Sequence, residues 1–145
     1  MASQNSAIEF RNIVFADDVR REVTGKDIIV GAFGGDIVVG GFPSRMVFCL
    51  WISMRARIVG EFRLEIQVLG PSGITISSMS SDIVVEKKDN NAVFVLGGIE
   101  TELQQEGNIV IRARTNNSEW EEVYSIGVRR APPQFNQPTA SERPS

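Results

Sequence analysis

Residues 46–59 read Met-Val-Phe-Cys-Leu-Trp-Ile-Ser-Met-Arg-Ala-Arg-Ile-Val. Every even position, Met46, Phe48, Leu50, Ile52, Met54, Ala56 and Ile58, is apolar, while the odd positions start apolar at Val47, Cys49 and Trp51 and turn polar at Ser53, Arg55 and Arg57. A repeat of two marks an extended chain whose alternate side chains face opposite sides of a sheet. The segment predicts a long central strand, buried along one face throughout and on the other only for its first half.

Downstream, Phe62, Leu64, Ile66 and Val68 alternate with Arg63, Glu65 and Gln67, which predicts a half-buried strand over 62–69. Joined through the turn at Gly60, it is expected to form a hairpin with the central strand, with Arg55, Arg57, Arg63 and Glu65 on one solvent face. After the turn Gly70-Pro71-Ser72-Gly73, the apolar parity flips between Ile74/Ile76 and Ile83/Val85, so two short strands or one strand with a bulge are expected. Residues 87–91 read as a solvated turn. Residues 92–96, apolar on both parities, suit a strand covered on both faces, ended by Gly97-Gly98. A connector over 99–107, carrying Glu100, Glu102 and Glu106, follows. Strands over 108–114 and 120–128 flank the turn Thr115-Asn116-Asn117-Ser118, and Trp120, Tyr124, Ile126 and Val128 are expected on one face.

Upstream, Ile8 and Phe10 lie on one parity and Ile13 and Phe15 on the other, which predicts a strand over 8–15 with a bulge near Arg11 or Asn12. Residues 16–26 form a charged patch closed by a glycine. Strands over 27–33 and 36–39 flank Gly34-Gly35, a link suited to a type I′ hairpin because both central residues need positive φ. Gly40, Gly41 and Pro43 then interrupt the sheet.

Eight or nine short strands with no 3.6-residue period predict an all-β protein, an antiparallel β-sandwich of immunoglobulin-like architecture. With one cysteine, it lacks the disulfide of an antibody-type domain. The expected organisation is a frayed N-terminus over 1–7, a single sandwich domain over 8–130 and a disordered tail over 131–145, where apolar content is too low to offset the entropy of ordering.

At 145 residues the chain can bury a real core without staples. Cys49 lies in its most apolar stretch, which suits a buried small side chain rather than a nucleophile. There is no histidine, which removes Ser-His-Asp and Cys-His catalysis and most catalytic zinc sites. A net charge of -3 and a pI near 5.0 speak against non-specific nucleic-acid binding. No leader-like segment opens the sequence and the longest apolar run is too short to span a bilayer, so a soluble cytoplasmic protein is expected. No cofactor and no metal site are expected; no calcium-loop spacing is present.

Asp17-Asp18-Val19-Arg20-Arg21-Glu22-Val23-Thr24-Gly25-Lys26, leading into Ile28-Ile29-Val30 and later Phe42-Pro43, with Val-Leu-Gly-Pro-Ser-Gly at 68–73, resembles a family of small bacterial and phage-associated proteins known as a domain of unknown function. The similarity covers about residues 10–75. It implies a β-sandwich, a phage-related setting and a place in the cytoplasm or the virion, and no activity.

Two constellations stand out. Asp18, Arg20, Glu22 and Lys26, with Asp17 and Arg21, are expected to form a salt-bridged corner, the other reading being a cation or acid/base site. Arg55, Arg57, Arg63, Arg112 and Arg114 alternate with apolar residues and, if their strands neighbour one another, form a basic stripe able to grip phosphates or an acidic partner. Trp51, Trp120 and Tyr124 are expected to pack in the core. The sequence therefore predicts no enzyme but a structural or protein-interaction module that binds itself or another protein. The alternative is a sandwich that recognises an anionic ligand, nucleic acid or carbohydrate through its arginine face.

Overall fold

In the computed structural model, residues 7–133 are described. The described residues are all β, with nine strands: β1 Ile8–Arg21, β2 Asp27–Ala32, β3 Ile37–Val39, β4 Ser44–Ala56, β5 Gly60–Leu69, β6 Thr75–Val85, β7 Asn91–Leu103, β8 Gly107–Thr115 and β9 Glu121–Arg130. They form a four-stranded sheet in the order β2-β1-β4-β7 and a five-stranded sheet in the order β3-β9-β8-β5-β6. The two sheets pack as an immunoglobulin-like sandwich. All pairs are antiparallel except β3 with β9.

The 46–59 stretch is indeed a central strand. β4 has β1 on one edge and β7 on the other, and its even residues Phe48, Leu50, Ile52 and Met54 are at most 2% exposed. They meet Leu64, Ile66 and Val68 of β5 and Ile109 and Ile111 of β8, all as deeply buried. Each such side chain removed from water stabilises the fold by about 1.5–3 kcal/mol. Ile58 lies beyond the strand and is exposed.

Because both edges of β4 are taken, it cannot also pair with β5. The expected hairpin between them is absent: the chain crosses from one sheet to the other through residues 57–59, and β5 pairs instead with β6 and β8. The Gly34-Gly35 hairpin is also absent. Neither glycine has a positive φ, so no type I′ turn forms, and the link carries the chain from β2 in one sheet to β3 in the other. The partner of β2 is β1, which continues through the charged patch as far as Arg21.

Bulges explain the parity changes. Arg11 is the extra residue in β1, since Phe10 faces Met54 and Asn12 faces Ser53. Ile76 is the extra residue in β6, where Val68 faces Ser77 and Leu69 faces Thr75, so this is one strand with a bulge. Gly97 and Gly98 do not end β7. They face Cys49 together, with Gly98 at φ 62, and beyond them the buried parity passes from Phe94 and Leu96 to Ile99 and Leu103. β7 is covered on one face only, leaving Val93 and Val95 exposed. The turn Thr115-Asn116-Asn117-Ser118 forms as read, with both asparagines left-handed and Ser118 N donating to Thr115 O.

The β1–β2 hairpin curls back over the outside of its sheet. Trp51 sits opposite Val14, and Asp27 opposite Arg21 seven residues further along β1, a separation of about 23 Å in a straight strand. Yet Trp51 Nε1 donates to Asp27 Oδ2 at 3.1 Å. The hairpin must bend back toward β4 for this bond to form; Ala16 and Cys49, which lie outside the core cluster, are buried as well.

At the ends, Ala7 is buried and its carbonyl accepts from Arg57 N, so Ala7 itself is held in the fold rather than frayed. Ala131 N donates to Val39 O, holding the first residue assigned to the tail. The remainder of both terminal segments lies outside the described residues.

Candidate interaction surface

The outer face of the five-stranded sheet is built by the register of β5 with β8. That register sets Glu65 opposite Arg114 and Gln67 opposite Arg112, all on the parity that points away from the core. Arg114 Nε donates to Glu65 Oε2, and Arg112 donates to Gln67 Oε1 from Nε at 2.8 Å and from Nη2 at 2.6 Å. Trp120 lies under both guanidiniums, 4.9 Å from Arg112 Cζ and 4.3 Å from Arg114 Cζ. One indole thus stacks against two cations, an arrangement that restricts both long side chains. The hydrogen bond from Arg114 holds the Glu65 carboxyl below its usual 4.5.

The expected basic stripe is divided. Arg63, Arg112 and Arg114 share this face, while Arg55 belongs to the other sheet and Arg57 follows it in the crossover to β5, because β4 and β5 do not pair. Most of these cations face a carboxylate: Arg63 with Asp82 at 3.6 Å, Arg55 with Asp89 at 3.4 Å, Arg57 with Glu9 at 3.6 Å, and Arg114 with Glu65. Arg112 is held instead by the neutral Gln67 amide.

Neither tryptophan is in the core. Val123 is an extra residue in β9, between the pairs Ile111–Tyr124 and Arg112–Glu122, and it turns Trp120 away from the buried side of Ile126 and Val128. Trp51 is on the opposite outer face. Tyr124 stays on the core side at the rim, 5.9 Å from the Phe15 ring and 37% exposed. Alternation gave these parities only as far as the bulges. The Gln67 and Asp27 contacts, which depend on strand order and on the curl of a hairpin, left no mark in the sequence.

The charged signature closes the β1–β2 hairpin. Asp18 and Arg20 pair at 2.9 Å, Glu22 N donates to Lys26 O across the turn, and Thr24 Oγ1 donates to Glu22 Oε2. The partner of Arg20 is Asp18, not Glu22. Arg21 and Trp51 both donate to Asp27 and hold its carboxyl below the usual 3.8, the arginine contributing more.

Four strands form the sheet edges, and three are blunted. β3 has three residues, β2 has six with Gly31 at φ 67, and β7 carries the double-glycine bulge with Glu100 and Glu102 beyond it. β6 differs. From Ser77 to Val85 it runs in unbroken register with β5 and contains no Gly, Pro, Lys or Arg; its one charge, Asp82, meets Arg63.

The profile of a family of unknown function, DUF6941, matches residues 11–129. The chain belongs to that family. The match runs from β1 through β9, so the DUF6941 region contains both the Trp120 stack and the β6 edge. No curated protein matches the chain. Among solved structures, the CARDB domain of a Pyrococcus furiosus protein, described in complex with di-metal ions, aligns with a TM-score of 0.36 at 12% identity, covering 85% of this chain and 97% of that one. No helix among the described residues is long and apolar enough to cross a membrane.

Proposed function

We propose that this DUF6941 protein is a non-enzymatic structural or protein-interaction module that works by associating with itself or with a protein partner. The observation that carries the reading is the β6 edge. Along the nine residues Ser77 to Val85 the strand keeps its register with β5, every second residue leaves its backbone groups without a strand partner, and no Gly, Pro, Lys or Arg blunts the edge, so an added strand would satisfy those groups. The phage-related setting implied by the N-terminal signature, and with it a place in the virion or the cytoplasm, suits such a component and forms part of the proposal. Size-exclusion chromatography with light scattering, at two protein concentrations and two salt levels, tests self-association. A defined, salt-resistant oligomer supports it, and a monomer under every condition removes it.

A second reading is favoured by Arg112, whose guanidinium is fixed by Trp120 and a neutral amide. In this reading the face binds an anionic group of a ligand or acidic partner. Titration with a polyanion tests it: binding that weakens steeply with salt and is lost in Trp120→Ala supports it, and no binding at low salt refutes it.

A further inference from the structure

We propose that β6 pairs with β6 of a second copy of this chain, antiparallel about a two-fold axis at Ser81, joining the two five-stranded sheets into one. The inference rests on the association reading above and names its surface, partner and register.

Its basis is the direction of the backbone groups on β5. Arg63 N donates to Asn116 Oδ1 and Arg63 O accepts from Asn116 N, so both groups of this residue point to the β8 side. Backbone groups alternate in direction along a strand, so the odd residues of β5 serve β8 and the even ones serve β6. On β6, therefore, Met79, Ser81 and Ile83, the partners of Ile66, Leu64 and Phe62, use their backbone groups toward β5. Those of Ser78, Ser80, Asp82 and Val84 point outward and have no strand beyond them.

A two-fold at Ser81 uses these groups in matched pairs. Ser80 meets Asp82 of the second copy, and Ser78 meets its Val84, in hydrogen-bonded pairs; Ser81 meets its own counterpart in the closer, non-bonded kind. On the core side Met79 meets Ile83, so two half-buried apolar side chains at the rim of each core gain cover. Charge agrees with the same register. Asp82, the strand's one ionised group, lies opposite a serine rather than another carboxylate, and it keeps Arg63 as its counter-ion. The serines are small and present no bulk against the approaching strand. A second copy fits this pattern because the pattern is its own complement.

Two variants test the proposal. Ser80→Pro removes an outward N–H while leaving the β5 ladder intact, a position at which an edge strand tolerates proline. Ser81→Cys places two thiols across the axis, at a Cα separation within the range a disulfide spans. Light scattering should give twice the 16.0 kDa of one chain for the wild type. Ser80→Pro should weaken the dimer at least tenfold, and Ser81→Cys should give a covalent dimer on mild oxidation, which the wild type, with Cys49 buried, does not form. A wild-type dimer that Ser80→Pro leaves intact and Ser81→Cys does not cross-link overturns the β6 register while leaving self-association standing. A wild-type monomer at all concentrations, with no cross-link in Ser81→Cys, overturns the homodimer itself and leaves a different protein or an anionic ligand as the partner.

Discussion

Replacing Gly97 and Gly98 singly with alanine should give opposite results, although the two residues are neighbours facing the same cysteine. Gly98 stands at φ 62, where a Cβ costs about 1–2 kcal/mol, whereas Gly97 is not left-handed. A Cβ built at either position meets nothing within 4 Å, so no packing term enters the comparison. Both substitutions also remove flexibility from the unfolded chain, which favours folding by about 0.4–1 kcal/mol. Gly98→Ala should therefore destabilise by about 1 kcal/mol and Gly97→Ala should be neutral or slightly stabilising. The gap of about 1–2 kcal/mol corresponds to several degrees in Tm for a domain of this size. Urea unfolding followed by tryptophan fluorescence measures the difference at constant m-value. Equal effects at the two sites, or a larger loss at Gly97, would show that the bulge, and with it the parity change that turns Ile99 and Leu103 inward, is not seated as described.

Trp51→Phe removes the donor that ties Asp27 to β4, so the β1–β2 hairpin should loosen and Cys49 should react severalfold faster with a thiol reagent; an unchanged rate would mean that the hairpin does not shield it. Acid should weaken the fold in a defined window. Glu65 and Asp27 have folded pKa values below their ordinary 4.5 and 3.8, so their stabilisation is complete above those values and is lost as pH falls through the lower, folded ones. Melting temperature should hold down to about pH 5 and decline below it, with a shallower decline in Glu65→Gln; a decline that begins near neutrality would contradict this assignment.

Period-two alternation made most of the strands legible, because one buried face per strand leaves a direct trace in the residue order. β4 showed its even-numbered core residues without any structure, and the flip between Ile76 and Ile83 marked an irregularity, two short strands or one with a bulge, of which β6 is the second. Strand partnership left no such trace. Alternation in 46–59 and 62–69 is the same whether the strands form a hairpin or face each other across a core, and it was the occupation of both β4 edges that decided the matter. The five candidate arginines inherited that ambiguity: three share a face and two do not. The glycine pairs were ambiguous for a related reason. Gly34-Gly35 resembled a hairpin turn and is a crossover, while Gly97-Gly98 resembled a strand end and is a bulge. Only φ separates these uses. Trp120 was misplaced by the extra residue Val123, which the sequence does not distinguish from its neighbours.

Amide hydrogen exchange along β6, followed by NMR at low and high protein concentration, tests the central claim most directly. In dilute solution Met79, Ser81 and Ile83 should be protected by β5, and Ser78, Ser80, Asp82 and Val84 should exchange freely. At high concentration the second set should become protected as well, in step with the rise in mass. If those four amides exchange freely at every concentration, β6 is not the surface through which this protein associates with itself.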